Sequence, residues 1–123
     1  MKVTCLLTVL LAVSCSSNIP DDSYARIHQD VEWFTAALLD RRVDTVIRHF
    51  QKRGVKNPVK ESIKLIKRET DFYEIWNTRT KLEFSIDEDE NQIFATATLP
   101  STKILKMIWI DGEWYYFDFS TPE

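Results

Sequence analysis

The chain reads as an α+β fold, with N-terminal helices packed on a curved antiparallel sheet of about four strands. Three observations predict it. Apolar residues recur at helical spacing in the first half, at Ile27, Val31, Phe34 and Leu38 and again at Val43, Val46, Ile47 and Phe50. After Thr70 the period drops to two, with Leu82, Phe84 and Ile86 alternating with Lys81, Glu83 and Ser85. Asp111-Gly112 then sits between two apolar runs, the signal of a two-residue hairpin loop.

Each element has its own local cause. Asp21, Asp22 and Ser23 are N-cap candidates, and their acidic groups complement the positive end of a helix. The first helix runs from there to near Asp40. Trp33 lies off its apolar stripe, beside Asp30 and Ala37, where it is placed to cover a sheet edge or line a cleft. A second, shorter helix follows and stops at Gly54. Its His49, like His28 before it, is read as a surface or satisfied structural group. Asn57-Pro58 starts a third helix, with Asn as cap and Pro at the first helical position. Its apolar line is Val59, Ile63 and Ile66, and Lys60, Lys64, Lys67 and Arg68 line another face. Strands are expected at 81–86, Gln92–Leu99, Lys103–Ile110 and Glu113–Phe119, with the acidic run Asp87 to Glu90 and Asn91 as a turn. That run lacks the spaced ligands and central Gly of a calcium loop, and no metal site is expected.

Residues 1–15, MKVTCLLTVLLAVSC, form a charged start, an apolar middle and a small-residue exit, the pattern of a secretory leader. The apolar run of ~11 residues is far shorter than the ~20 that span a bilayer. Ala12-Val13-Ser14-Cys15 resembles the lipobox of bacterial lipoproteins. The resemblance implies cleavage before Cys15, a lipidated Cys15 as the mature N-terminus, and an anchor in the cell envelope. The alternative is an ordinary cleavage that leaves a secreted soluble domain. Cysteine arithmetic favours the lipid. Cys5 would leave with the leader, and Cys15 alone cannot form an intramolecular disulfide. Free thiols are a liability in an oxidising compartment. The expected organisation is a leader over 1–14, a tether over 15–22 and one α+β domain over 23–123.

Charge is blocked along the chain. Residues 15–40 hold one basic and five acidic side chains, residues 41–68 hold ten and two, and residues 69–123 hold four and twelve. A basic block between acidic ones, without interleaved aromatics in an exported acidic chain, argues against nucleic acid. The Lys60, Lys64, Lys67 and Arg68 face suits anionic lipid headgroups.

Two stretches carry a second resemblance. One runs from Val31-Glu32-Trp33-Phe34 through Asp44, Val46, Ile47 and Phe50; the other is Trp109-Ile110-Asp111-Gly112-Glu113-Trp114-Tyr115. Both resemble the nuclear-transport-factor-like superfamily, with its ketosteroid-isomerase-like relatives, and imply a cystatin-like cone of sheet around helices. No Ser-His-Asp, Cys-His, metal-ligand or Gly-rich phosphate constellation is present in the sequence. The expected function is a non-enzymatic, membrane-anchored accessory module that binds a small ligand or a protein partner, without a cofactor. The alternative is a small acid/base enzyme of the ketosteroid-isomerase-like type with a buried carboxylate as base. An uninterrupted register about Asp111-Gly112 puts Trp109, Trp114, Met107, Tyr116, Leu105 and Asp118 on one sheet face. Both faces are apolar and helices cover only one. The uncovered face lines a concave pocket or a homodimer interface; the face with the two Trp is expected to be the pocket, with Asp118 as its carboxylate.

Overall fold

The computed structural model describes residues 19–122. Four helices come first: α1 (Asp21–Leu39), α2 (Val43–Arg53), α3 (Pro58–Ile66) and α4 (Glu69–Thr78). The strands follow as β1 (Ser85–Asp89), β2 (Gln92–Thr98), β3 (Ile104–Ile110) and β4 (Glu113–Ser120), in one antiparallel sheet of order β1-β2-β3-β4. The α+β fold with helices on a sheet is as expected. Among the described residues, no helix is long and apolar enough to cross a membrane.

The stripe Ile27, Val31, Phe34 and Leu38 of α1 is buried and forms the core with Val46 and Phe50 of α2. Asp21 and Asp22, placed in the expected tether, already belong to the first turn of α1. The helix ends where Arg41 takes a left-handed conformation and its N–H donates to the Leu38 carbonyl. Gly54 ends α2 in the same way, at φ 81°, and the Val55 N–H closes on the Phe50 carbonyl. Pro58 stands at the start of α3, as its sequence predicts.

Helix α4 is a fourth helix, beyond the three that the sequence predicts. Its apolar signal is short, with Phe72 and Ile75 alone fully buried, and its aromatic residues are those that strands also favour. Glu69 and Asp71 in the first turn support the helix start. Arg79, just past its end, reaches Glu32 of α1 at 2.9 Å. Glu74 accepts from the backbone N–H and the hydroxyl of Ser101, so α4 also fixes the β2–β3 turn.

The first strand is shifted relative to its expected place. Leu82 is buried ahead of it, and Asp87, Glu88 and Asp89 lie in β1 itself. The turn is only Glu90-Asn91, both at positive φ, between the paired residues Asp89 and Gln92. The β3–β4 hairpin turns at Asp111-Gly112, also both at positive φ. Trp109 faces Trp114 and Met107 faces Tyr116 as expected. Beyond them a bulge inserts Phe117, so Asp118 pairs with Lys106 and Phe119 with Leu105.

Two expectations change as a result. The extra residue carries Asp118 to the outer face, where it is exposed and accepts from the Ser120 hydroxyl at 2.7 Å. Phe119 takes the inward position instead and is fully buried. The face with Trp109, Trp114, Met107 and Tyr116 is not an open pocket wall, because the helices pack on it. Tyr116 stacks on Phe34 at 5.5 Å and meets Phe72 at 5.7 Å. Trp109 is partly buried, edge-on to Trp114.

Gly54 has nothing within 4 Å of where a Cβ would stand, so a substitution there acts through the backbone alone. Gly54→Ala is expected to destabilise by about 1 kcal/mol, the cost of a left-handed L-residue, with Gly54→Asn milder. Urea denaturation of the three proteins measures it; equal midpoints would remove the strain argument.

Candidate functional site

Strand β4 is the last in the sheet, so one row of its backbone groups has no strand partner. Side chains from the helices take that place. Asp30 of α1 accepts the Trp114 N–H on Oδ2 at 2.9 Å, and His49 of α2 accepts the Tyr116 N–H on Nε2 at 2.8 Å. Arg53 at the end of α2 donates to the Tyr116 carbonyl at 2.6 Å, and Arg68 donates to the Phe119 carbonyl at 2.6 Å. The Trp114 indole N–H meets the Ser23 carbonyl at 2.8 Å. A buried edge that would otherwise leave donors and acceptors unpaired is closed by side chains.

Between α1, α2 and this edge lies a cleft of about 400 Å³. Arg26, Gln29, Asp30 and Trp33 line it from α1, Thr45, Arg48, His49 and Lys52 from α2, and Glu113, Trp114 and Tyr115 from β4. The helical residues share one spacing, i, i+3, i+4 and i+7, so each set is a single helix face. That repeated spacing is a signal the sequence carries; of these residues only Trp33 was expected to cover a sheet edge or line a cleft, and it lines this one.

The buried polar groups of the cleft are committed. Asp30 takes Arg26 on its other oxygen at 3.3 Å. Burial, together with Arg53 and Lys52, pushes His49 down to about 3, so the ring is neutral at neutral pH. Its Nε2 lone pair is occupied by the Tyr116 amide, which leaves the proton on Nδ1. The ring is packed between Phe34 at 4.2 Å and Tyr115 at 4.7 Å. His49 is thus a satisfied structural group, as its sequence setting suggested.

Of the sequence-derived pocket residues, Trp114 alone lines this cleft. Asp118 and Tyr116 line a smaller one of about 200 Å³, with Arg53, Arg68 and Lys64. Burial raises the Tyr116 phenol to about 12, against the lowering effect of Arg68. Met107 is in the core. Of the basic face, Lys60, Lys64 and Lys67 are exposed, whereas Arg68 is turned inward onto Phe119 and Asp71. Arg68 therefore leaves that face, because its guanidinium completes the β4 edge. Cys15 lies outside the described residues. No group of side chains suited to a metal occurs among the described residues.

The edge bonds predict two effects. Asp30→Ala strands the buried Trp114 N–H and is expected to cost about 1–3 kcal/mol in chemical denaturation. His49 binds a proton in the unfolded chain from about pH 6.5 downward, but in the folded chain only near 3. Stability is therefore full above the unfolded value and falls with pH, by about 2 kcal/mol between pH 7 and pH 5. His49→Gln, which keeps an acceptor but does not titrate, is expected to flatten that slope; an unchanged slope would assign the pH dependence elsewhere.

Comparison of the chain with models of protein families, with curated proteins and with solved structures finds no match.

Proposed function

We propose that the chain is a lipoprotein of the bacterial cell envelope, held to the membrane through lipid on Cys15, and that its domain is a non-enzymatic accessory module. The cleft at the β4 edge is its binding site for a small molecule. The observation that carries the reading is the double commitment of Asp30 and His49. Both lie where an acid or base would be placed, and both are held by the backbone amides of β4. A general base needs a free lone pair and a pKa near the working pH, and His49 has neither. The leader and the cysteine count support the anchor. The helices-then-sheet order and the Trp109–Tyr115 hairpin support kinship with the nuclear-transport-factor-like superfamily.

The solvent face of α3 supports membrane proximity. Lys60, Lys64 and Lys67 are exposed there together with Val59 and Ile63. Each cation near an anionic surface contributes about 1 kcal/mol, and the apolar pair can enter the headgroup boundary.

Three measurements test the proposal. Intact mass from an envelope fraction is expected to show a species starting at Cys15 and carrying acyl chains; the unmodified mass would reject the anchor. The domain without its leader is expected to bind anionic vesicles better than neutral ones at low salt, and Lys60→Glu with Lys64→Glu to abolish the difference. Equal binding to both vesicle types would remove the α3 contact. An NMR titration in which His49 titrates between about pH 5 and 8 would remove the argument against acid/base chemistry at this cleft.

A further inference from the structure

We infer that the cleft between α1, α2 and β4 takes a small organic anion with a flat apolar body, its acidic group held by Arg48 and Lys52 and its body laid on Trp33. The inference rests on the binding-module reading above and names the ligand class for that site.

Three features point to an anion. First, the negative charge at the cleft floor is already engaged: Asp30 is bonded to Arg26 and to the Trp114 amide. Second, Arg48 and Lys52 have no carboxylate partner among the described residues, unlike Arg41, Arg68, Arg79 and Lys103. They stand one turn apart on α2, and like charges at that spacing cost helix stability by a few tenths of a kcal/mol. An anionic group between them reverses the sign of that interaction. Third, the Nε of Arg26 is buried and has no acceptor among the described residues, although its Nη2 is paired. Buried donors without acceptors are rare, and Arg26 is one of the residues that line the same cleft. The opposing carboxylate, Glu113, comes from the β4 wall, so the cationic end is the α2 wall.

Trp33 supplies the flat contact. It is 57% exposed, one turn beyond Asp30 on the cleft face of α1. An exposed indole on the cleft wall is a flat stacking surface, and Trp is enriched among the residues that carry binding energy. The volume of about 400 Å³ lies within the range of small-molecule sites. Arg48 and Lys52 are exposed and unpaired, so removing them leaves the fold intact.

The test uses three matched probes: naphthoate, naphthyl phosphate and the neutral naphthamide. Each is titrated into the mature chain and followed by the NMR signals of the Trp33 indole and the Trp114 and Tyr116 amides. At least one anion is expected to bind about tenfold or more tightly than naphthamide, as charge-assisted hydrogen bonds do. Which anion is preferred separates a carboxylate from a phosphate ligand. Arg48→Ala with Lys52→Ala is expected to remove the preference and leave naphthamide binding unchanged. Trp33→Ala should weaken all three, and Lys60→Ala with Lys64→Ala none, which excludes general basic attraction. If naphthamide binds the cleft as tightly as the anions, the ligand class is overturned and the binding module stands. If no probe moves the cleft signals, both fall.

Discussion

Pairing of the β4 edge with side chains from the helices is the constraint on which the rest of the molecule depends. A sheet four strands wide has two edges, and β4 carries Trp114, Tyr116 and Phe119 into the core, so its edge lies against packed helices. Water cannot satisfy amides placed there. Asp30, His49, Arg53 and Arg68 supply the acceptors and donors in turn along the strand. Each comes from a different turn of helix, so the positions of α1, α2 and the α3–α4 junction relative to the sheet are set by one strand. Two of these bonds involve a charged guanidinium on a carbonyl, the stronger kind.

The other edge is managed by different means. Strand β1 is five residues long and ends in Asp87, Glu88 and Asp89, which face solvent. Short length and charge discourage a further strand from adding. The two edges thus divide the chemistry of the chain. Acidic residues protect the free edge, and the basic block of residues 41–68 supplies the cations that close the buried one. Arg53 shows how tightly the second task is built. Its guanidinium lies 5.4 Å from the Phe50 ring and 5.2 Å from the Phe117 ring while it donates to the strand, and burial lowers its pKa.

The cleft follows from the same arrangement. To reach the edge with Asp30 and His49, α1 and α2 must both present one face to β4, and the residues a turn away on those faces line the space between them. The structural groups sit at the floor and the unpaired ones, Arg48, Lys52 and Trp33, stand above it. This separation means that Arg48, Lys52 and Trp33 can be replaced without touching the bonds that hold the sheet.

Periodicity and turn chemistry made the α+β order legible, because the stripe Ile27–Leu38, the stop at Gly54, the start at Pro58 and the Asp111-Gly112 hairpin are each dictated by residues close in sequence. Trp33 was legible as a residue that would cover a sheet edge or line a cleft, because a large aromatic off a helix stripe has no local explanation, and the structure places it in the cleft. Helix α4 was not, since Phe72 and Ile75 make too short a signal and packing on α1 decides it. Nor was the bulge at Phe117. Trp114 to Phe117 is an unbroken aromatic run, so alternation cannot count the extra residue; burial of Phe119 against Phe72 decides the register, and with it which face Asp118 occupies. The roles of Asp30, His49, Arg53 and Arg68 depend on backbone groups 51 to 84 residues away. Local sequence determined which elements form, α4 aside; only the tertiary structure decided which polar side chains the β4 edge would consume and which it would leave free in the cleft.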